Sequence, residues 1–451
     1  MKHTHTRFAG IALLAVCFST GCATVRRARE AQDPAHVPPG QRTVTAAEVG
    51  LSSNSILKLD QAVRIALAAH PAIAQALQSV DSASNQLVQA RAAYGPTVDA
   101  GAGYRRATSN SKDLPSSSHS GGAYSASLSL DQLAYDFGRT PAVVRQAWAR
   151  KRAAEESLLA ARNDVIFGVR TAFFDLGRSL ELLRVAEDTV RQFTVHMEET
   201  RVLVEVGRRI KYDITKADVD LGNARLNLIG ASNSVVTARA SLNRSLGLAE
   251  EPGYRIADPP AEEIAAPFED LMGIARKQHP ELQALRAQEL VASAALDETI
   301  ADLYPSLSLS AGYTWGGSAF PLFWNWAAAA QAGMNLFSTG RKTSRIEVAV
   351  ADLRAARAKV ADREQQIYLD LRSAVAQLDA ARQRMALTDL IVRQAQESLD
   401  LVTERYKLGQ ASSVEQTDAQ VSLTQARANQ VNARFDYQTA TATIKHTIGE
   451  E

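Results

Sequence analysis

Apolar and polar positions along this chain follow two periods, one of 3.6 residues and one of two, and the whole alternation occurs twice. From Leu59 apolar residues recur at steps of three and four, which predicts a short helix, a break at His70-Pro71 and a longer helix to about Tyr94. After Gly95-Pro96 the period changes to two. Val98, Ala100, Ala102 and Tyr104 alternate with Thr97, Asp99, Gly101 and Gly103, and Tyr124, Ala126, Leu128 and Leu130 alternate with serines. The second copy repeats this with Leu307, Leu309, Ala311 and Tyr313, followed by Trp326, Ala328, Ala330, Met334 and Leu336. The pattern predicts two β-hairpins with one apolar and one polar face, whose strands of about ten residues suit a tilted crossing of a bilayer.

Proline is absent from 142–251 and from 322–451, and the remaining half of each copy reads as long helix. Ile166, Val169, Phe173, Leu176, Leu180 and Leu183 form a coiled-coil seam, as do Ile367, Leu371, Ala374, Leu378, Ala381 and Met385. A helix from Thr140 to about Val206 would be on the order of 100 Å long, far more than a compact domain needs. Thr140-Pro141 and Ser338-Thr339 are expected to cap the two rods with hydroxyls. Gly207 and Gly409 are expected to end them in a left-handed turn, with a second helix returning to Gly247 or Gly449.

Matched landmarks make the duplication explicit. His70-Pro71 recurs as His279-Pro280 and Pro96 as Pro305, 209 residues on; Gly138-Arg139, Gly207 and Leu246-Gly247 recur as Gly340-Arg341, Gly409 and Ile448-Gly449, 202 residues on. The expected organisation is a first repeat over 59–247, with its β-hairpin at about 97–137 and helical hairpin at about 140–247. A Pro-rich linker over 248–267 leads to a second repeat over 268–449, with hairpins at about 306–337 and 339–449. Ahead of them lie a signal segment over 1–21 and an extended leader over 22–58, where Pro34, Pro38, Pro39 and Gly40 disfavour helix.

The N-terminus changes the compartment. Lys2 and Arg7 precede an apolar run from Phe8 to Phe18, too short to span a bilayer, and Ser19-Thr20-Gly21-Cys22 follows at cleavage distance. The segment resembles a bacterial lipoprotein signal, which implies covalent lipid on Cys22. Ordinary signal-peptide cleavage nearby is the alternative. Cys17 would leave with the signal, so the mature chain has one cysteine and no internal disulfide. Without residues 1–21 the chain carries 48 bases against 49 acids. That balance supplies no field for nucleic acid.

Four strands cannot close on themselves, and an open edge in lipid strands backbone groups at several kcal/mol each. The chain is therefore expected to oligomerise, with two copies giving eight strands and three giving twelve. The tips differ: residues 105–123 are basic and rich in Ser and Gly, whereas 315–324 carry Trp315, Phe320, Phe323 and Trp324, as an interface girdle or as a loop packed between subunits.

The chain resembles TolC-type outer membrane efflux proteins over about residues 59–449. The resemblance rests on the duplication, the His-Pro and Gly-Pro or Tyr-Pro junctions, the hairpins ending in Asp136-Phe137-Gly138-Arg139 and Leu336-Phe337-Ser338-Thr339-Gly340-Arg341, and the tips around Gly207 and Gly409. It implies a mixed α and β membrane protein: a homotrimer whose duplicated helical hairpins form a periplasmic tunnel, continuous with a twelve-stranded transmembrane β-barrel. It also implies an outer-membrane location with Cys22 and Ala23 suited to sorting there, docking onto a periplasmic adaptor, and an inner-membrane pump as the energy source. Cys22 continues as Ala23-Thr24-Val25-Arg26, where one lipidated branch has Gly-Pro-Asp-Tyr. The expected function is a passive exit duct for small molecules or metal ions. A type I protein secretion duct and a poreless coiled-coil rod are the alternatives.

Carried over by position, Val206, Gly207 and Arg208, and Leu408, Gly409 and Gln410, are the adaptor-contacting tips. Asp213, Glu415 and Asp418 belong to the periplasmic aperture, where three-fold symmetry would gather the last two into six carboxylates. Lys216 matches Asp418 in the first copy, so the second copy carries the fuller acidic ring. Gly138, Arg139, Gly340 and Arg341 mark the strand-to-helix junctions. His70 and His279 lack ligand-spaced partners and read as junction residues, with no metal site. No nucleophile elbow or phosphate-binding loop is present, which predicts no catalysis and no cofactor beyond the lipid.

Overall fold

A computed structural model describes residues 24–33, 38, 42, 44–51, 55–109, 119–259, 263–264 and 266–450. The signal segment, Cys22 and residues 110–118 of the first hairpin tip lie outside the described residues. Residues 24–32 are helical (α1), which corrects the extended leader expected there. The prolines begin at Pro34, whereas the run before them holds Arg, Ala and Glu, all good helix formers, with Arg26 and Glu30 paired at 3.6 Å one turn apart.

His70 and His279 break helices because each precedes a proline, which pushes the preceding residue to extended backbone. They stand at φ −72, ψ 128 and φ −60, ψ 114. Helices α2 (Leu59–Ala69) and α3 (Pro71–Ala92) flank the first, and α6 (Phe268–Gln278) and α7 (Pro280–Ala301) flank the second. The His70 Nδ1 accepts from the Ala72 N–H at 3.2 Å. Burial, together with nearby Arg363, lowers the His279 imidazole to about 4, so it is neutral at physiological pH.

The rods are α4 (Arg139–Glu205) and α8 (Arg341–Lys407), each 67 residues, with α5 (Lys211–Ser245) and α9 (Ser413–Ile448) folding back along them. Gly207 and Gly409 take φ +75 and +77. Around Gly207 the Arg208 N–H reaches the Leu203 carbonyl at 2.8 Å and the Gly207 N–H reaches Val204 at 3.0 Å, a Schellman turn; Gln410 and Gly409 repeat it. Gly247 and Gly449 close α5 and α9 against the His-Pro junctions. A Cβ on either would sit 3.0 Å from the carbonyl oxygen of Ala69 or of Gln278. One contact between helix end and junction thus accounts for both recurring landmarks.

The rod starts differ from expectation. Gly138 and Gly340, at φ +99 and +79, are the N-caps, and no hydroxyl caps either rod. Thr140 lies inside α4, where its N–H and hydroxyl both donate to Asp136 Oδ2, at 2.6 and 2.5 Å. Ser338 serves through its carbonyl, which accepts the Arg341 N–H at 3.0 Å. The turn out of each hairpin passes through positive φ at Phe137 and at Thr339, so the chain reaches the helix by a left-handed corner that displaces the expected capping residues.

Strands β1 (Ile56–Leu57) and β4 (Arg255–Ile256) pair in parallel and tie the leader to the linker. Beside them a core of Leu57, Phe173, Leu176, Leu242, Tyr254 and Phe435 surrounds the middle of α4; a second, with Leu282, Ile367, Leu371, Leu378 and Ile444, surrounds the middle of α8. The other strands, β2 (Thr97–Ser109), β3 (His119–Tyr135), β5 (Ser306–Gly317) and β6 (Phe323–Gly333), form one antiparallel sheet in that order. Met334 and Leu336 lie beyond β6.

Candidate functional site

Register sorts the sheet into two unlike faces. Val98 pairs with Leu130 and Ala100 with Leu128; Leu128 then faces Tyr313, which faces Trp326. The opposite face carries Asp99, Ser129, Ser127, Ser310, Gly312, Thr314 and Asn325. A bulge between Leu133 and Tyr135 returns Tyr135 to the apolar side, opposite Leu307. That face is uncovered: Val98, Leu128, Leu309 and Trp326 are all exposed. Aromatic pairs lie at both of its ends. Tyr104–Tyr124 and Tyr313–Trp324, at 4.8 and 5.6 Å, lie toward the hairpin tips, and Tyr135–Phe137 and Phe137–Tyr304, at 4.8 and 5.9 Å, lie toward the rods. From Leu307 to Trp315 a strand advances about 27 Å, which at a tilt of about 40° rises about 21 Å, most of the roughly 25 Å height of a lipid-facing band flanked by aromatic belts. Among the described residues no helix is long and apolar enough to cross a membrane.

At the strand-to-helix corner Arg139 pairs with Asp302 at 3.5 Å, and Arg345 meets the same carboxylate at 3.2 Å. Lys342 donates to the Asp302 carbonyl at 2.5 Å. Arg341, the copy of Arg139, is exposed and has no ion pair among the described residues. Its missing acid follows from the duplication, because Asp302 corresponds to Ala93 in the first copy.

At the far end, the tip residues Val206, Gly207, Arg208, Leu408, Gly409 and Gln410 are all exposed. Glu415 closes a capping box with Ser412: the Glu415 N–H donates to Ser412 Oγ at 3.1 Å and the Ser412 N–H donates to Glu415 Oε1 at 3.2 Å. That backbone hydrogen bond, with the Ser412 hydroxyl, holds its carboxyl below the usual range. Asp418 is exposed one turn on, and Asp213 is half-buried in the first turn of α5. Asp213 shares no hydrogen bond or ion pair with Glu415 or Asp418 within the chain. Lys216 pairs with Asp220 at 2.9 Å, and Asp220 also accepts from the Thr417 hydroxyl at 3.1 Å.

A lock at this end was missed from sequence. Arg209, on the turn between α4 and α5, crosses to the other hairpin and donates to the carbonyls of Tyr406 (3.3 Å) and Ala411 (2.8 Å). Its guanidinium carbon lies 4.2 Å from the centre of the Tyr406 ring. Tyr406 is 1% exposed, and its hydroxyl meets Thr200 Oγ1 at 3.2 Å. Farther up, Thr189 meets Thr424 and Gln192 meets Gln420, so a ladder of polar contacts joins α4 to α8 and α9. The signal was available in the duplication: Arg209 matches Ala411 and Tyr406 matches Val204, both changes from apolar to polar.

A family model for outer membrane efflux proteins matches residues 62–248 and 271–450. The toluene efflux pump outer membrane protein TtgC of Pseudomonas putida is 23% identical over 93% of this chain and 88% of its own. The outer membrane protein TolC of Vibrio cholerae is 24% identical over 82% of this chain and 85% of its own. The crystal structure of VceC, an outer membrane protein of Vibrio cholerae, superposes with a TM-score of 0.77 at 20% identity, over 87% of this chain and 96% of that one. The two matched segments fall on the two repeats, each with its hairpin of strands and its pair of long helices, and the chain belongs to the outer membrane efflux protein family.

Proposed function

We propose that three copies of the chain close into a twelve-stranded barrel in the outer membrane, continued by a helical tunnel, and that this duct passively conducts small molecules or metal ions. The observation that carries this reading is the pair of open ends on one protomer. Among the described residues, strands β2 and β6 each have a free edge, which lipid would not tolerate. Helix α5 exposes Val219, Leu226, Ile229 and Val236, and α8 exposes Leu387, Leu390, Ile391 and Leu401. Two unlike apolar stripes make a head-to-tail interface, which gives a ring when the rotation closes.

Within the ring the helix tips face the periplasm. There they meet an adaptor at Val206, Gly207, Arg208, Leu408, Gly409 and Gln410, and the adaptor joins the duct to an inner-membrane pump that supplies energy. That relatives include a toluene efflux component supports small molecules over proteins as cargo. Purified oligomer in planar bilayers tests the duct directly. Stable conductance is expected, and Glu415→Ala/Asp418→Ala should lose cation selectivity as six carboxylates leave the mouth. Assembled oligomers that never conduct would overturn the duct, and unchanged selectivity would remove the acidic ring. Cys22 is proposed to carry the lipid anchor. Cys22→Ala should abolish fatty-acid labelling of the mature protein, and a label that persists places the lipid elsewhere.

A further inference from the structure

One polar side chain in the ladder between α4 and α8/α9 leaves its hydrogen-bonding capacity unused. Thr189, Gln192, His196 and Thr200 step by three and four along α4 and share one face. Thr189, Gln192 and Thr200 each have a partner across the seam. His196, between the last two, is 7% exposed and neither ring nitrogen is bonded among the described residues. Its ring lies 5.5 Å from that of Tyr406. Beside it a cavity of about 520 Å³ opens between α4, α8 and α9, lined also by Gln416, whose Oε1 has no partner.

Charges of both signs surround the imidazole. On α4, Arg191 pairs with Asp188, and Glu199 lines the cavity. From the α4–α5 turn Arg209 is held on Tyr406, and from α5 come Asp213 and the pair Lys216–Asp220. From α8 come Asp400 and the pair Glu404–Lys407, whereas α9 brings the uncharged Gln416, Thr417 and Gln420. None of the carboxylates accepts a hydrogen bond from the ring.

We propose that His196 makes this seam acid-labile: a proton on the imidazole parts α4 from α8 and α9 beside Tyr406 and widens the periplasmic mouth. The proposal rests on the duct reading for its consequence, though not for the seam itself. An imidazolium has two donors, and in the packed seam neither ring nitrogen reaches an acceptor among the described residues, which leaves a buried charge unpaired at a cost. Burial holds the closed-state pKa below the usual histidine value, with Asp220 and Asp213 opposed by Lys216 and Arg209. Once the seam parts, the ring regains the value near 6.5 usual for an exposed histidine. As pH falls below that value the open form therefore binds more protons than the closed form, so acid favours opening; above pH 7 both are neutral and the balance is unchanged. Linkage of one proton limits the change to about tenfold per pH unit per seam. The matched residue in α8 is Ser398, so the corresponding seam between chains would not respond.

The test uses the full mature protein, as wild type and as His196→Gln and His196→Phe. In planar bilayers the open fraction of the wild type should rise up to about tenfold per seam between pH 7.5 and 5.5, and both variants should flatten that response. Hydrogen exchange over residues 189–200 and 416–424, corrected for intrinsic rates, should show protection lost in the same window in the wild type alone. A wild type without either response, or a His196→Gln protein that keeps both, overturns the proposal. If no preparation conducts at any pH, the duct reading falls while hydrogen exchange still decides on His196.

Discussion

Replacing Arg209 with alanine should shift the mouth of the proposed duct strongly toward open, seen as a large rise in mean single-channel current. The guanidinium belongs to one helical hairpin and all its partners to the other, so its contacts are lost when the hairpins separate. Hydrogen bonds from a charged donor contribute about 1.5–3 kcal/mol each, and a half-buried cation on an aromatic face about 1–2. One Nη2 supplies both carbonyl contacts, so the lock as a whole is worth about 2–4 kcal/mol per protomer. At about 1.4 kcal/mol per factor of ten, each seam would shift some 30- to 1000-fold toward open. Arg209→Lys keeps the charge and loses the planar fork, so it should fall between the two. The melting temperature should barely change, because both cores surround the middle of the rods, far from the tip. Identical currents from wild type and Arg209→Ala would exclude this lock as the gate.

The elements that were legible in the sequence are those specified by local stereochemistry. A proline after His70 or His279, a glycine at 207 or 409 and an alternation such as Val98-Ala100-Ala102-Tyr104 each constrain the backbone within a few residues, and each recurs in the second copy. The rod starts were misread for a physical reason. A threonine before a proline is a good cap in isolation, but the hairpin corner at Phe137 moves the cap to Gly138 and turns Thr140 inward onto Asp136. The lock was missed for another: Arg209 lies on a polar turn and Thr200 and Gln192 on a long polar helix, where such residues usually face solvent. Their partners lie some 200 residues away, and only the superposition of two hairpins brings them together.

The same comparison of copies gives the largest effect on assembly. In α9, Val431 and Phe435 pack against the core around α4, and Thr424 bonds to Thr189. Their matches in α5 are Ile229, Asn233 and Gly222, and the match of Thr189 in α8 is Ile391. The seam that α9 makes with α4 inside the chain thus has a vacant counterpart, α5 against the α8 of another copy, and there the polar pair gives way to Ile391 over a glycine. Leu226 and Ile229, both 67% exposed in the single chain, are the apolar centre of that face. Burying each would contribute about 1.5–3 kcal/mol, repeated at three interfaces in a closed trimer. Leu226→Glu/Ile229→Glu loses that burial and adds six carboxylates to desolvate, so assembly should fail while the hairpins keep their helicity, since neither side chain supports the protomer. Light scattering in detergent should then give about a third of the wild-type mass, with an unchanged far-ultraviolet dichroism spectrum. A double variant that retains the full mass would show that α5 faces solvent in the assembled protein, and would leave the β2 and β6 edges to hold the ring alone.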